Sequence, residues 1–88
     1  MKAGDIVELT DSMCAHEIGT KGVLVNAISR NRSKCEIIVL ALEGGTYMDM
    51  GSYSPLNVIG HNPKYIRGPD QLADIITELN LDGIVYGL

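Results

Sequence analysis

Only one set of side chains in this sequence has the types a tetrahedral metal ion prefers: Cys14, His16, Cys35 and His61, which would give zinc two thiolates and two imidazoles. Their spacing argues against it. Cys14-x-His16 is followed by two isolated singles, whereas structural zinc sites draw their ligands as close pairs held by a turn. The expectation is that no metal binds, that Cys35 packs in or beside the core, and that the other three lie in loops. Cys14, His16 and Glu17 also offer a nucleophile, a base and an orienting carboxylate, but near neighbours on one loop seldom converge as such a triad must. Gly44-Gly45 has no following helix or Lys, so it reads as a turn and not as a phosphate loop. No catalytic residue, metal or cofactor is assigned, and the chain is read as non-enzymatic.

Residues suited to binding are easier to find. Arg30, Arg32 and Lys34 put three positive charges at a hairpin tip, where they could meet phosphates or a carboxylate-rich partner, although solvated tips often look the same. The stretch 44–54 gathers Gly, Ser, Met and Tyr, which make adaptable contacts at recognition surfaces; Tyr47 and Tyr53 are its candidate contact residues, the alternative being that its Met residues fill core and its Tyr residues shield turns. Asp70, Asp74, Glu78 and Asp82 recur every four residues and would form an acidic ridge on a helix. Like charges at that spacing weaken a helix, and the last two oppose its dipole, so helix stability does not explain the ridge. It reads either as a solvated face or as a docking face for a basic protein partner.

The elements that must carry these residues follow from period and punctuation. Asp5 to Thr10, Lys21 to Ser29 and Lys34 to Leu42 are β-prone and partly alternating, with Arg30-Asn31-Arg32-Ser33 as a turn between the second and third strands. Ile37 to Leu42 has no polar residue on either face, the pattern of a strand covered on both sides. Thr46 to Met50 and Leu56 to Ile59 supply two shorter strands. Pro63 and Pro69 mark a connector, after which Leu72, Ile75, Ile76 and Leu79 fall at i, i+3, i+4 and i+7, so the spacing predicts a helix over 69–81 ended by Asp82-Gly83. The apolar tail Ile84-Val85-Tyr86-Gly87-Leu88 is β-prone.

Strands without intervening helices indicate a small antiparallel barrel or rolled sheet. The spacing Gly4-Asp5-x-Val7 followed by Gly19-x-x-Gly22-x-x-Val25 resembles the opening of KOW-type and other SH3-like small barrels over residues 4–60. The resemblance implies a five-stranded fold and, in KOW-type barrels, RNA, ribosomal or transcription partners, though such barrels usually carry basic surfaces and this chain does not. The expected architecture is a mainly β single domain: a five-stranded SH3-like antiparallel barrel over 1–60, a connector over 61–68, and a C-terminal amphipathic helix with a short apolar tail strand over 69–88.

Composition sets the remaining expectations. The chain has 88 residues, no Phe, no Trp and four Tyr, so its core must be aliphatic. The net charge of −4 is unevenly placed: residues 1–69 carry seven bases and seven acids, and 70–88 carry four acids alone. No apolar run approaches the length that crosses a bilayer, and no basic-then-apolar start marks secretion, so a cytoplasmic location with reduced cysteines is expected. The functional expectation is a non-catalytic module binding a protein partner, an inhibitor or adaptor of the kind phages also encode. The alternatives are a KOW-like RNA-, ribosome- or transcription-associated factor and an oligomer holding a nucleotide-like ligand. A homodimer is expected, with Ile84, Val85, Tyr86 and Leu88 as its contact.

Overall fold

The segments that are apolar on both faces of an extended backbone become the centre of the sheet. A computed structural model describes residues 2–12, 16–28, 35–44, 47–49 and 55–86, with 47–49 as backbone alone. In it β1 (Asp5–Leu9), β2 (Lys21–Ile28), β3 (Glu36–Leu42) and β5 (Leu56–His61) are the longer strands, and β4 (Tyr47–Asp49) adds three residues at one edge. The order is β4-β3-β2-β1-β5, antiparallel throughout, so the fifth strand returns across the molecule to pair with the first. β2 and β3 stay in register from Gly22 opposite Leu42 to Ile28 opposite Glu36.

The sheet is open. No ladder joins β4 to β5 among the described residues, so the closed barrel expected from the sequence is not seen.

Alternation along the paired strands sorts the apolar residues into two layers. Ile6, Val23, Val25, Ala27, Val39 and Ala41 form one buried cluster, and Val7, Leu9, Leu24, Leu40 and Leu42 form another on the opposite face, with Ile38 and Leu56 packed against it. The first layer is roofed by the C-terminal helix. A 3-10 turn at Pro69–Gln71 leads into α1 (Leu72–Asp82), and the four residues picked out by period do face the sheet, Ile75 and Leu79 fully buried and Leu72 and Ile76 packed beside them. The Gly83 N–H donates to the Leu79 carbonyl at 3.0 Å and ends the helix. Burying side chains of this size is worth about 1.5–3 kcal/mol each, which makes the helix a structural lid and not an appendage. Among the described residues no helix is long and apolar enough to cross a membrane.

Two local features differ from expectation. The connector contains a second 3-10 turn, Pro63–Tyr65, whose Tyr65 is 1% exposed and belongs to the core, so the core is not purely aliphatic. The tail does not form a strand over 83–86, because the backbone of Val85 is bonded by side chains and not by a ladder.

Candidate interaction surface

The turn before β1 brings the first and last strands together. Gly4 sits at φ 91°, its N–H donates to the Leu24 carbonyl at 2.7 Å, and its own carbonyl accepts from the Asn62 N–H at 2.9 Å. A Cβ there would come within 2.9 Å of the His61 ring and of the Ile66 side chain. Next to it, Asp5 Oδ1 lies 2.7 Å from His61 Nδ1, and Asp5 Oδ2 accepts the Lys2 N–H at 2.9 Å. Burial alone would push the Asp5 carboxyl up; the Lys2 N–H, the His61 bond and the charges of His61 and Lys2 outweigh it and hold the carboxyl below its usual range. With Asp5 ionised, Nδ1 of His61 must be the protonated nitrogen. A carboxylate-oriented imidazole is also the base half of a nucleophilic site, yet among the described contacts no hydroxyl or thiol is bonded to it. Here the pair latches β1 to β5.

Below this latch, Asn62 and Tyr65 hold the tail. Asn62 caps its 3-10 turn by accepting the Lys64 N–H at 3.1 Å, and its amide donates to the Val85 carbonyl at 2.8 Å. The Tyr65 hydroxyl accepts the Val85 N–H at 3.0 Å. Ile84 packs on the helix-side core, and the Tyr86 ring lies over Gly60 of β5. The short Asp82-Gly83 link therefore lets Ile84, Val85 and Tyr86, three of the residues expected to make an oligomer contact, bond and pack within their own subunit. Leu88, the fourth residue of that set, lies outside the described residues.

The expected acidic ridge is interrupted. Glu78 receives both guanidinium nitrogens of Arg67, Nη2 at 3.0 Å from Oε1 and Nη1 on Oε2, and Lys64 Nζ stands 3.7 Å away. Hydrogen bonding to Arg67 depresses the Glu78 carboxyl and raises the guanidinium, so this acid ties the connector to the helix. Asp70, Asp74 and Asp82 remain exposed.

Of the other expected site residues, Arg30, Arg32, Lys34 and Tyr53 lie outside the described residues, as does the Tyr47 side chain. Cys35 is exposed just before β3, not packed in the core, and His16 is half-buried; Cys14 is outside the described residues. His61 faces Asp5 and not a cysteine, and among the described residues no three His, Cys, Asp or Glu side chains gather as a metal site.

What the sequence did not single out is an apolar surface around β5. Val58 (45% exposed) and Ile59 (36%) lie on this edge strand, and Ile66, Val85 and Tyr86 (50%) are exposed around its C-terminal end. The Gly4 contacts to His61 and Ile66, the Asn62–Val85 bond and the approach of Tyr86 to Gly60 place Ile66, Val85 and Tyr86 at the C-terminal end of β5, whereas Val58, paired with Val7, faces the opposite side of the sheet from Gly60, which pairs with Ile6. Ile59 is the extra residue of a bulge, since Gly60 pairs with Ile6 while Val58 pairs with Val7. No family model, curated protein or solved structure matches this chain.

Proposed function

We propose that the chain is a non-catalytic interaction module whose contact surface is the β5 edge and the apolar residues around its end, and whose partner is an extended apolar segment of another protein. One observation carries this reading: residues 56–60 of an edge strand contain no charged side chain and present Val58 and Ile59 to solvent. Edge strands normally carry charge or Pro that discourages pairing, and a strand without them offers backbone donors and acceptors flanked by apolar side chains. A second reading rests on Asp70, Asp74 and Asp82, whose exposure suits a basic partner on the helix.

Photo-crosslinking residues placed singly at Val58 and at Asp74, expressed in the source cell, separate the two. Adducts from Val58 that vanish in the Ile59→Lys background support the β5 edge; adducts from Asp74 alone replace it with the acidic helix. Steeply salt-dependent binding of mixed RNA to the purified protein would favour a nucleic-acid role instead.

A further inference from the structure

The side chains of Asn62 and Tyr65 grip a single residue of the tail by its main chain. One donates to the Val85 carbonyl and the other accepts the Val85 N–H, so both main-chain polar groups of one residue are satisfied without reading its side chain. The two gripping groups are buried, Asn62 being 6% exposed and Tyr65 1%, and Asn62 is itself fixed by the Lys64 N–H. On either side of the gripped residue an apolar side chain meets the surface: Ile84 packs against the helix-side core, and the half-exposed Tyr86 ring lies beside Gly60, within ordinary van der Waals reach of where a Cβ would stand. The tail's own apolar-x-aromatic triplet, Ile84-Val85-Tyr86, is thus held by backbone bonds at its centre and by side-chain contacts at its flanks.

The segment now in the site is suited to leaving it. Val85 and Tyr86 stay exposed, no ladder bond of the sheet runs through residues 84–86, and Gly83 at φ 70° lies where the helix ends and the tail begins. Releasing the tail breaks two side-chain bonds and uncovers part of the core face while every strand pairing remains. The same release clears the end of the β5 surface, because Tyr86 and Val85 are part of its rim.

We propose that Asn62 and Tyr65 form a main-chain clamp for an extended apolar-x-aromatic peptide segment of a protein partner, with the chain's own residues 84–86 as the resident occupant that the partner displaces. This rests on the interaction-module reading above and adds the ligand's chemistry and the means by which the site is kept closed.

Two measurements on the full-length protein test it. In hydrogen exchange, the Val85 amide should exchange at least 100-fold faster than those of Val25 and Leu40, because the tail opens without the sheet; equal protection would overturn the proposal. In fluorescence anisotropy, a labelled acetyl-GIVYGL peptide (residues 83–88) is the probe. Val85→Pro removes the N–H that Tyr65 accepts and vacates the clamp, so this variant should bind the peptide at least 10-fold more tightly than the wild type, and adding Tyr65→Phe should reverse the gain. A natively folded Val85→Pro protein that binds no better than wild type overturns the proposal; should that variant not fold, the exchange result decides. A wild-type dimer with exchanged tails, seen by light scattering and abolished by Tyr65→Phe, would also overturn it by making a second copy the occupant. Because the peptide assay needs no cellular partner, loss of crosslinks from Val58 alongside a positive peptide result rejects the partner reading and keeps the clamp.

Discussion

Asp5 and His61 are 56 positions apart in sequence and 2.7 Å apart in the fold, one at the start of the first strand and the other at the end of the last. Their bond, with the Lys2 N–H on the second carboxylate oxygen, makes the junction of β1 and β5 sensitive to acid. A carboxyl held below its unfolded value of 3.8 stabilises the fold fully above that pH and loses its contribution as pH falls through the lowered folded value. Asp5→Ala is expected to cost about 1–3 kcal/mol at pH 7, the loss of the hydrogen bonds that the ionised Asp5 carboxylate accepts from His61 and the Lys2 N–H. Urea midpoints of wild type and variant should converge as the pH drops from 7 to below 3, and a pH-independent gap would refute the assignment.

Glu78→Gln gives a prediction that reverses the one from helix electrostatics. Read from the sequence, removing an acid from the last half of a helix should be neutral or favourable. The bidentate Arg67 contact makes it unfavourable, by about 0.5–1 kcal/mol for a pair that remains partly open to solvent. Since the folded carboxyl titrates below its ordinary 4.5, that increment is present above this pH and fades as pH falls through the folded value. Asp82→Asn, at an exposed position, should leave stability unchanged or slightly higher. Thermal melts of the two single variants at neutral pH check the contrast, and equal melting temperatures would contradict it.

Gly4 and Gly19 have nearly the same positive φ, 91° and 89°, yet different surroundings. Alanine at Gly19 meets no atom within 4 Å and should cost about 1–2 kcal/mol for the backbone conformation alone. Alanine at Gly4 adds contacts at 2.9 Å with His61 and Ile66 and should cost more, with the Asp5–His61 bond disturbed as well. Denaturant titration of both variants tests the order; an equal loss would mean that the crowding at Gly4 relaxes freely.

Leu79 and Leu81 lie two residues apart on α1 and differ in every physical respect. Leu79 is buried against the sheet, and Leu79→Ala should cost about 2–5 kcal/mol. Leu81 is 76% exposed, and Leu81→Ala should change stability by no more than about 0.5 kcal/mol. Chemical denaturation of both variants would expose a misplaced helix face by reversing the two values.

Local pattern was sufficient for the strands and the helix, because a doubly apolar run such as Ile37 to Leu42 and the spacing of Leu72, Ile75, Ile76 and Leu79 carry their own geometry. It failed where a residue's role is set by something distant. Glu78 looks like one member of a ridge until Arg67 is placed beside it, and Tyr65 looks like loop until Val85 arrives at its hydroxyl. The tail's contacts within its own subunit were hidden for the same reason: the 3-10 turn at Pro63–Tyr65 brings the receiving groups to the tail. The apolar surface on β5 had no signal in alternation, since the bulge at Ile59 shifts the register and leaves both Val58 and Ile59 exposed.

The return of β5 to β1 also sets an order of events in time. Hairpins β2–β3 and β3–β4 join neighbours in sequence and can form as soon as their turns close, whereas the β1–β5 pairing joins the first and last strands of the chain and must close a long loop. Non-local pairing of this kind places folding in the slower, millisecond-to-second range typical of small β domains. During synthesis the first strand emerges long before its second neighbour exists, so β1 waits with one edge unsatisfied until residues 56–61 have left the ribosome.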